Sequence, residues 1–286
     1  MKRPVPSAIE LKGMRRLTFG QPLVMGILNV TPDSFSDGGK FLATDKAVAH
    51  ALELQQQGAD IIDVGGESTR PGAAPVTLDE ELGRVIPVIQ ALRKESSIPI
   101  SIDTYKAEVA RQAVTAGADI INDVSAFRFD PDMAAVAART AVPVILMHML
   151  GKPRDMQVKP EYRDCVAEIG EFFDERIAVA QAAGIAGEKI ILDPGIGFGK
   201  RIQDNLDILR RCGEFARFGR PLLVGASRKS FIAQVPGGAG EPSNRIGGSI
   251  AAAIMAVANG ASIVRVHDVA ATVEALHIWR AIQGDE

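Results

Sequence analysis

Eight short apolar segments alternate with amphipathic stretches from about residue 22 onward, and this alternation limits the possible folds more than any other feature of the chain. Each segment is a continuous run rich in Val, Ile and Leu, without the apolar–polar alternation of a half-exposed strand. Continuous runs of this kind are typical of strands buried on both faces in a parallel sheet. The segments are LVMGILN (23–29), ADIIDVG (59–65), IPISID (98–103), ADIIND (118–123), PVILMH (143–148), KIILDP (189–194), PLLVGA (221–226) and SIVRVH (262–267).

Helical patterns fill the intervals between these segments. The clearest covers 77–94, where Thr77 and Glu80 form a possible capping box and apolar residues follow at helical spacing. Pro87 falls inside this pattern, where a proline is expected to kink the helix. Further helices are predicted over 162–183, 245–259 and 269–283. Glycines that follow helical stretches are expected to cap them with positive φ: Gly58, Gly117, Gly184 and Gly260.

Eight strand–helix units in succession predict an α/β fold, a single (β/α)8 TIM barrel with a short N-terminal cap. A doubly wound open sheet is the alternative, but eight regular repeats close naturally into a barrel. No linker or change of composition divides the chain, so 1–286 is expected to form a single domain. Within it, 1–21 would form the cap and 22–283 the barrel, with a Gly- and Pro-rich excursion over Val235–Ser243.

The composition excludes several classes of protein. The formal net charge is -3, with basic and acidic residues interspersed, so no basic nucleic-acid surface is expected. No apolar run is long enough for a transmembrane helix, and the basic N-terminus has no apolar region behind it. Cys165 and Cys212 are far apart and match no metal-ligand spacing, which favours buried thiols in a reducing compartment. A cytoplasmic protein without membrane or nucleic-acid partners is therefore predicted.

Polar or charged side chains follow nearly every apolar segment. In a barrel these positions meet at the C-terminal rim, where active sites form. A purely structural protein has no reason to collect so many polar groups there, so an enzyme or a ligand-binding barrel is expected. The rim residues are Asn29, Glu67, Ser68, Thr69, Arg70, Asp103, Asn122, Asp123, His148, Asp193, Ser227, Arg228, Lys229, Arg265, His267 and Asp268.

The mixture of these groups indicates the kind of ligand. Asp103, Asn122 and Asp193 beside a lysine suit a neutral heteroaromatic ring rich in donors and acceptors. Basic side chains near glycine-rich loops suit a phosphate or diphosphate. The basic side chains are Arg70, Arg265 and His267.

Seven motifs, distributed along the chain in order, resemble those of the dihydropteroate synthase family. They are GILNVTPDSFSDGG (26–39), DVGGESTRPGA (63–73), SIDTYK (101–106), INDVSA (121–126), LDPGIGFGK (192–200), VGASRKSF (224–231) and RVHDV (265–269). The resemblance covers nearly the whole chain from about 20 to 280 and implies a (β/α)8 barrel. It implies a transferase of folate biosynthesis that condenses 6-hydroxymethyl-7,8-dihydropterin diphosphate with 4-aminobenzoate to give 7,8-dihydropteroate and diphosphate.

The resemblance also implies residue roles. The pterin ring would be held by Asp103, Asn122, Met147, Asp193, Phe198, Gly225 and Lys229. The diphosphate would lie against Asn29, Thr69, Arg70, Arg265 and His267. The 4-aminobenzoate would lie near Phe35, Thr69, Pro71 and Ser230. Catalytic roles fall to Lys229, Asp103, Arg265 and His267.

The family implies Mg²⁺ as cofactor, with Asn29 as the protein contact. A single amide suits a cation held mainly by substrate phosphates and water. The loops 31–39 and 68–76 are similar to the mobile lids of the family. A homodimer formed through the last helices is implied as well, and the family is the target of sulfonamides.

Two other functions are compatible with parts of the pattern. One is a pterin-dependent methyltransferase barrel, although the loops TPDSFSDGG and STRPGA match the synthases. The other is a synthase-like paralogue that binds a pterin without catalysis. The roles of His148, Glu67 and Asp123 are left open by the sequence. LDPGIGFGK is not a nucleotide P-loop, because it lacks the required spacing of glycine and lysine.

Overall fold

The computed structural model describes residues 5–31, 39–68, 72–152 and 154–284, with the backbone alone described for 39–42. Its strands are β1 (Ala8–Glu10), β2 (Arg16–Thr18), β3 (Leu23–Asn29), β4 (Ile61–Gly65), β5 (Ile100–Asp103), β6 (Ile120–Asp123), β7 (Val144–Met147), β8 (Ile190–Asp193), β9 (Leu223–Val224) and β10 (Ile263–Val266). Its α-helices are α1 (Gly39–Gln56), α2 (Leu78–Glu95), α3 (Ala107–Ala116), α4 (Met133–Thr140), α5 (Cys165–Ala182), α6 (Ile202–Arg211), α7 (Ser230–Gln234), α8 (Ile246–Ala258) and α9 (Val269–Gln283).

Strands β3 to β10 form one parallel sheet in the order β8-β7-β6-β5-β4-β3-β10-β9. A parallel bridge between Leu192 and Leu222 joins the two ends of this order, and Leu192 N donates to Pro221 O at 3.0 Å. The sheet is therefore a nearly closed barrel with the helices between its strands. The predicted (β/α)8 fold is confirmed, and each of the eight apolar segments contains one of its strands.

Side chains of these strands alternate between the inside and the outside of the barrel, as the period of a β-strand requires. Ile120 and Ile145 belong to a compact apolar cluster in the interior. Their neighbours Ile121 and Leu146 belong to the larger cluster that packs the helices against the sheet. Both faces of each strand are buried, which explains the continuous apolar runs in the sequence.

Local signals in the sequence form as predicted. Thr77 caps α2 in a full capping box, in which Glu80 N donates to Thr77 Oγ1 at 3.3 Å and Thr77 N donates to Glu80 Oε2 at 3.0 Å. Pro87 lies inside α2, and the kink expected at this residue stays a prediction. The four helix-terminal glycines Gly58, Gly117, Gly184 and Gly260 all have positive φ, between 93° and 125°.

The N-terminal segment packs against the lower end of the barrel. Strands β1 and β2 pair antiparallel, and Ile9, Leu11 and Leu17 join the interior apolar cluster at the N-terminal ends of the barrel strands. These side chains cover the apolar floor that the barrel interior would otherwise expose to water.

A buried carboxylate lies at the same end of the barrel. Asp119 has no exposed surface and accepts hydrogen bonds from Arg93 Nη2 at 2.7 Å and from Arg15 Nη2 at 2.5 Å. It also accepts from the backbone N–H of Ile100 at 3.0 Å. Asp119 lies in the loop just before β6. Its hydrogen bonds connect this loop with three other parts of the chain, namely α2, β5 and the segment between β1 and β2.

Among the residues that the structure describes, no helix is both long and apolar enough to cross a membrane. Cys165 and Cys212 are both buried and not joined in a disulfide, as expected. Burial raises the pKa of each thiol to about 12, so neither is a reactive thiolate at neutral pH.

Candidate active site

The barrel interior changes from apolar to polar toward the C-terminal ends of its strands. On β6 the inward side chains are Ile120 and then Asn122, and on β8 they are Ile191 and then Asp193. The same change occurs on β4, where Ile61 is followed inward by Asp63. Asp63, Asn122 and Asp193 are all buried, so a set of polar groups is held away from bulk water at one end of an apolar core.

Arg265 connects two carboxylates across the barrel mouth. Its Nε donates to Asp63 Oδ2 at 2.6 Å, and its Nη2 donates to Asp103 Oδ2 at 2.8 Å. The arginine is on β10, whereas the carboxylates are on β4 and β5. A guanidinium held by two carboxylates has a fixed plane, which is the requirement for oriented binding of an anion or a ring.

Asn122 joins the same network. Its Nδ2 donates to Asp63 Oδ2 at 3.2 Å, so Asp63 receives hydrogen bonds from both Asn122 and Arg265 through one oxygen. Three side chains that are distant in sequence therefore meet inside the barrel.

Lys229 and Phe198 lie together on the opposite side of the mouth. The Lys229 ammonium is 4.4 Å from the centroid of the Phe198 ring, and its Nζ donates to the backbone oxygen of Ile196. Asp193 accepts a hydrogen bond from Gly195 N at 2.7 Å. Gly195 has a φ of 67°, and a Cβ at this position would lie 2.0 Å from His148 O, so only glycine fits this turn.

The pKa values of the central groups are shifted toward neutrality. Burial raises the pKa of Asp103 to about 7, although Arg265 opposes the shift. Burial lowers the pKa of Lys229 to about 7, although Asp193 opposes that shift. Burial also raises the pKa of Asp193, against the effect of Lys229. Shifts of this kind are concentrated at functional sites, where charged groups are kept partly desolvated.

An apolar cluster adjoins the polar groups. Met147, Val124, Met149 and Met156 are buried together, and Phe198 packs against them. The cluster gives the site an apolar wall that can contact the face of a planar ring.

The remaining predicted groups line the rim. Asn29 and Asp103 lie on either side of Gly65. A Cβ built on Gly65 would be 3.9 Å from Asn29 Oδ1 and 3.8 Å from Asp103 Oδ2. Gly225 lies beside Arg265, with 3.6 Å between the arginine Cβ and the position of a Cβ on the glycine. The Nδ1 atom of His267 is 3.1 Å from Ser227 Oγ.

A second ionic cluster supports the segment that follows β4. Glu67 accepts hydrogen bonds from Tyr105 Oη at 2.7 Å and from Lys106 Nζ. Lys106 Nζ also donates to Glu81 Oε2 at 2.5 Å. The structure thus places Glu67, whose role the sequence left open, in contacts that hold the start of this loop.

Asp123 and His148 are turned away from the mouth. Asp123 accepts hydrogen bonds from Ser125 N at 2.8 Å and Phe127 N at 2.7 Å, which are local contacts within the loop after β6. The His148 ring contacts Phe172 edge-on at 4.8 Å between centroids, and its Nδ1 is 3.0 Å from Lys200 Nζ. Burial holds the pKa of His148 well below its usual range, so the ring is neutral and accepts from the lysine.

Some predicted residues fall outside this cluster or outside the described residues. Ser230 is exposed at the first position of α7, a helix of five residues. The residues Phe35, Thr69, Arg70 and Pro71 lie outside the described residues. The functions predicted for all of these residues stay predictions.

Two buried side chains in the same region were missed by the sequence. Asp63 lies in the middle of β4 and not at its end, so the search along strand ends passed over it. Lys200, whose burial lowers its pKa to about 8, donates to Phe198 O at 3.1 Å and holds the loop that carries Phe198. A charged residue flanked by apolar residues within a strand was the signal that could have revealed Asp63.

In the part of the chain that the structure describes, no three His, Cys, Asp or Glu side chains converge as a metal site. Asn29 offers a side-chain amide oxygen at the rim, near Asp103. A hard cation such as Mg²⁺ accepts an amide oxygen and commonly takes its other ligands from substrate phosphates and water. Asn29 therefore fits a cation that takes its other ligands from an anionic substrate and water.

Comparisons with known proteins show the family of this chain. The model of the pterin binding enzyme family matches residues 25–267. Dihydropteroate synthase of Escherichia coli K12 is 52% identical over 265 residues, which cover 93% of each chain. A structure of dihydropteroate synthase from Xanthomonas albilineans with 4-aminobenzoic acid has a TM-score of 0.89 and 50% identity, and the match covers 94% of this chain and 96% of that one. A structure of the X. albilineans enzyme with 7,8-dihydropteroate has a TM-score of 0.85 and 47% identity, with the same coverage. With its barrel, its polar mouth and this similarity over nearly its full length, the chain belongs to the pterin-binding enzymes and, among them, to the dihydropteroate synthase family.

Proposed function

We propose that the mouth of this barrel holds the pterin through Asp103, Asn122, Asp193 and Lys229, and that the diphosphate lies toward Asn29, Arg265 and His267. The reaction is that of the family, in which the amine of 4-aminobenzoate displaces diphosphate from 6-hydroxymethyl-7,8-dihydropterin diphosphate to form 7,8-dihydropteroate. The observation that supports the assignment of residues is the Asp63–Arg265–Asp103 network beside Asn122, with Lys229 opposite.

The chemistry of the pterin fits these groups. A pterin carries an amino group and ring N–H donors on one edge and a carbonyl acceptor nearby. Asp193 and Asp103 can accept from the donors, and Lys229 can donate to the carbonyl. Met147 and Phe198 would contact the ring face from the apolar cluster.

Stabilisation of the leaving diphosphate is the second task of the site. Arg265 carries a fixed positive charge at the mouth, and His267 lies two residues further along the same chain segment. Mg²⁺ bound with the substrate near Asn29 would supply further positive charge to the leaving oxygens. An arylamine is already neutral and nucleophilic at pH 7, so the site needs no strong general base.

The function is tested by mixing the purified protein with 6-hydroxymethyl-7,8-dihydropterin diphosphate, 4-aminobenzoate and Mg²⁺ and following diphosphate release. Release that depends on 4-aminobenzoate, with 7,8-dihydropteroate as the product, is the expected result. Addition of a chelator should abolish it, and Mg²⁺ should restore it. Binding of the pterin without release would point instead to a paralogue that has lost catalysis.

We also propose that the protein is a homodimer that pairs through α8 and α9 and acts in the cytoplasm. Four large apolar side chains of these helices are exposed: Ile246 (39%), Met255 (50%), Ile278 (60%) and Ile282 (75%). Isolated exposed apolar residues are common, but a group on two packed helices is typical of an interface. The cytoplasmic location is supported by two reduced, buried thiols, and cell fractionation would test it.

The double substitution Ile278→Glu and Ile282→Glu is expected to convert a dimer into a monomer, because the charges would oppose burial of this face. Sedimentation equilibrium should give a mass of twice 30.4 kDa for the wild type and a mass of 30.4 kDa for the variant. Val158→Glu, at a 74% exposed position far from these helices in sequence, is the matched control and should stay dimeric. A wild-type protein that sediments as a monomer would refute the proposal.

A further inference from the structure

We propose that Asp63 is a positioning residue of this site: one of its carboxylate oxygens fixes both the guanidinium of Arg265 and the amide of Asn122, and so determines which groups these two side chains present to the substrate. The inference rests on the proposed function, which assigns Asn122 to the pterin and Arg265 to the diphosphate. Asp63 itself is fully buried and acts through these two side chains.

The geometry gives Asp63 a central position. Its side chain has no exposed surface, and its Oδ2 lies 2.6 Å from Arg265 Nε and 3.2 Å from Asn122 Nδ2. Strand β4, which carries Asp63, is two strands away from β10 in one direction and two strands away from β6 in the other. A single carboxylate therefore links the two sides of the binding surface.

The bonds of Asp63 differ from those of the buried carboxylates that maintain the fold. Asp123 binds backbone N–H groups of its own loop, and Asp119 binds the backbone N–H of Ile100. The hydrogen bonds of the Asp63 carboxylate run only to two side chains of the site, and its Oδ1 has no partner among the described residues. Asp63 thus binds side chains that the proposed function assigns to the substrate, whereas Asp119 and Asp123 each also hold the backbone.

The chemistry of a carboxylate explains what Asp63 does to Asn122. An ionised carboxylate can only accept hydrogen bonds, so Asn122 must present its NH₂ group to Asp63. Its carbonyl oxygen is then turned the other way and is available to accept from a ring N–H or amino group. Without Asp63, the two orientations of the amide would differ little in energy, and one of them would offer the pterin a donor where it needs an acceptor.

Asp63 also controls how Arg265 and Asp103 pair. Because Asp63 occupies Nε of the guanidinium, Asp103 contacts it through Nη2 at 2.8 Å. Removal of Asp63 would leave the whole guanidinium to Asp103, and a bidentate pair would form. Asp103 would then be a poorer acceptor for the pterin, and Arg265 would turn from the position proposed for the diphosphate.

The test is a double-mutant cycle on the binding of 6-hydroxymethyl-7,8-dihydropterin, measured by calorimetry for the wild type, Asp63→Ala, Asn122→Ala and the double variant. Asp63→Ala is expected to weaken binding about tenfold in the wild-type background and less than about threefold when Asn122 is already alanine. A merely structural role predicts the same loss in both backgrounds. Equal losses, or unchanged binding in Asp63→Ala, would overturn the proposal.

Two further variants separate positioning from folding. Asp63→Asn preserves an acceptor for Arg265 and Asn122 and should recover pterin binding to within about threefold of the wild type. A loss as large as that of Asp63→Ala would contradict the inference. If Asp63→Ala does not fold, Asp63→Leu, which removes the acceptor and keeps a similar volume, takes its place in the cycle with the same expected losses. Asp119→Asn alters a buried, arginine-bound carboxylate outside the site, so it should lower the melting temperature and leave pterin binding unchanged.

The outcomes for the wild type distinguish this inference from the proposed function. A wild-type protein that neither binds the pterin nor releases diphosphate would refute the function. A wild-type protein that does both, with equal losses throughout the cycle, would refute the role of Asp63 alone.

Discussion

Replacement of Lys229 by methionine is expected to lower kcat/KM for diphosphate release about 10²–10³-fold and, at the same time, to stabilise the free protein below pH 7. The loss of activity follows from removal of the donor that faces the proposed pterin carbonyl. Lys229 also contacts the Phe198 ring and Ile196 O, so the neutral side chain would no longer hold this edge of the site.

The gain in stability follows from the pKa of Lys229. Burial lowers this pKa to about 7, whereas a lysine in the unfolded chain titrates near 10.5. Between these values the unfolded state binds more protons than the folded state, so the contribution of Lys229 to the free energy of unfolding rises with pH. Below about pH 7 the lysine is charged in both states and its full desolvation penalty opposes folding.

The free energy of unfolding should therefore be compared between Lys229→Met and the wild type across pH 6 to 10. The advantage of the variant should be largest at or below pH 7 and should shrink as the pH rises toward 10.5. Lys94→Met, at an exposed lysine in α2, is the control and should change neither activity nor stability appreciably. A variant that is inactive and also less stable than the wild type at pH 6 would show that Lys229 supports the fold instead.

Asp119→Ala is expected to lower the free energy of unfolding by about 3–5 kcal/mol, because it removes one partner of a buried ionic group. The substitution would leave Arg93 and Arg15, which are only 19% and 24% exposed, without their carboxylate. It would also leave the buried N–H of Ile100 without its acceptor. An effect of this size approaches a large part of the total stability of an ordinary domain.

Urea denaturation provides the measurement, and the midpoint is expected to fall with little change in the m-value. Asp174→Ala is the control, since Asp174 pairs with Arg217 at the surface, where both side chains are more than half exposed. An exposed pair contributes no more than about 1 kcal/mol. Equal effects of the two substitutions would mean that the cluster around Asp119 does not stabilise the barrel as inferred.

The barrel could be predicted from the sequence because its determinants are local. Strands buried on both faces have continuous apolar sequences, and the helix-terminal glycines mark positions that require positive φ. The Thr77–Glu80 capping box is likewise complete within four residues. None of these signals depends on knowing which strands are neighbours.

The site could be predicted only in part. Polar residues at strand ends were correctly expected to gather at one rim, but adjacent residues of a strand point to opposite faces. Asn122 and Met147 face the interior, whereas Asp123 accepts from N–H groups of its own loop and the ring of His148 packs against Phe172 of α5. From the sequence alone, it could not be predicted which of two adjacent residues at a strand end points into the barrel. Both residues stand at the end of a buried apolar run, so the local pattern is the same for each.

By itself, the sequence determined the fold class, the family and the kinds of polar group available at the barrel mouth. Only the tertiary structure decided which of these groups act together. Asp63 meets Asn122 and Arg265, which are 59 and 202 positions away in the chain, because the register of the closed sheet brings their strands to the same height. A contact of this kind depends on the closure of the barrel and on the inward direction of each side chain, and both are properties of the folded sheet that no local stretch of sequence carries.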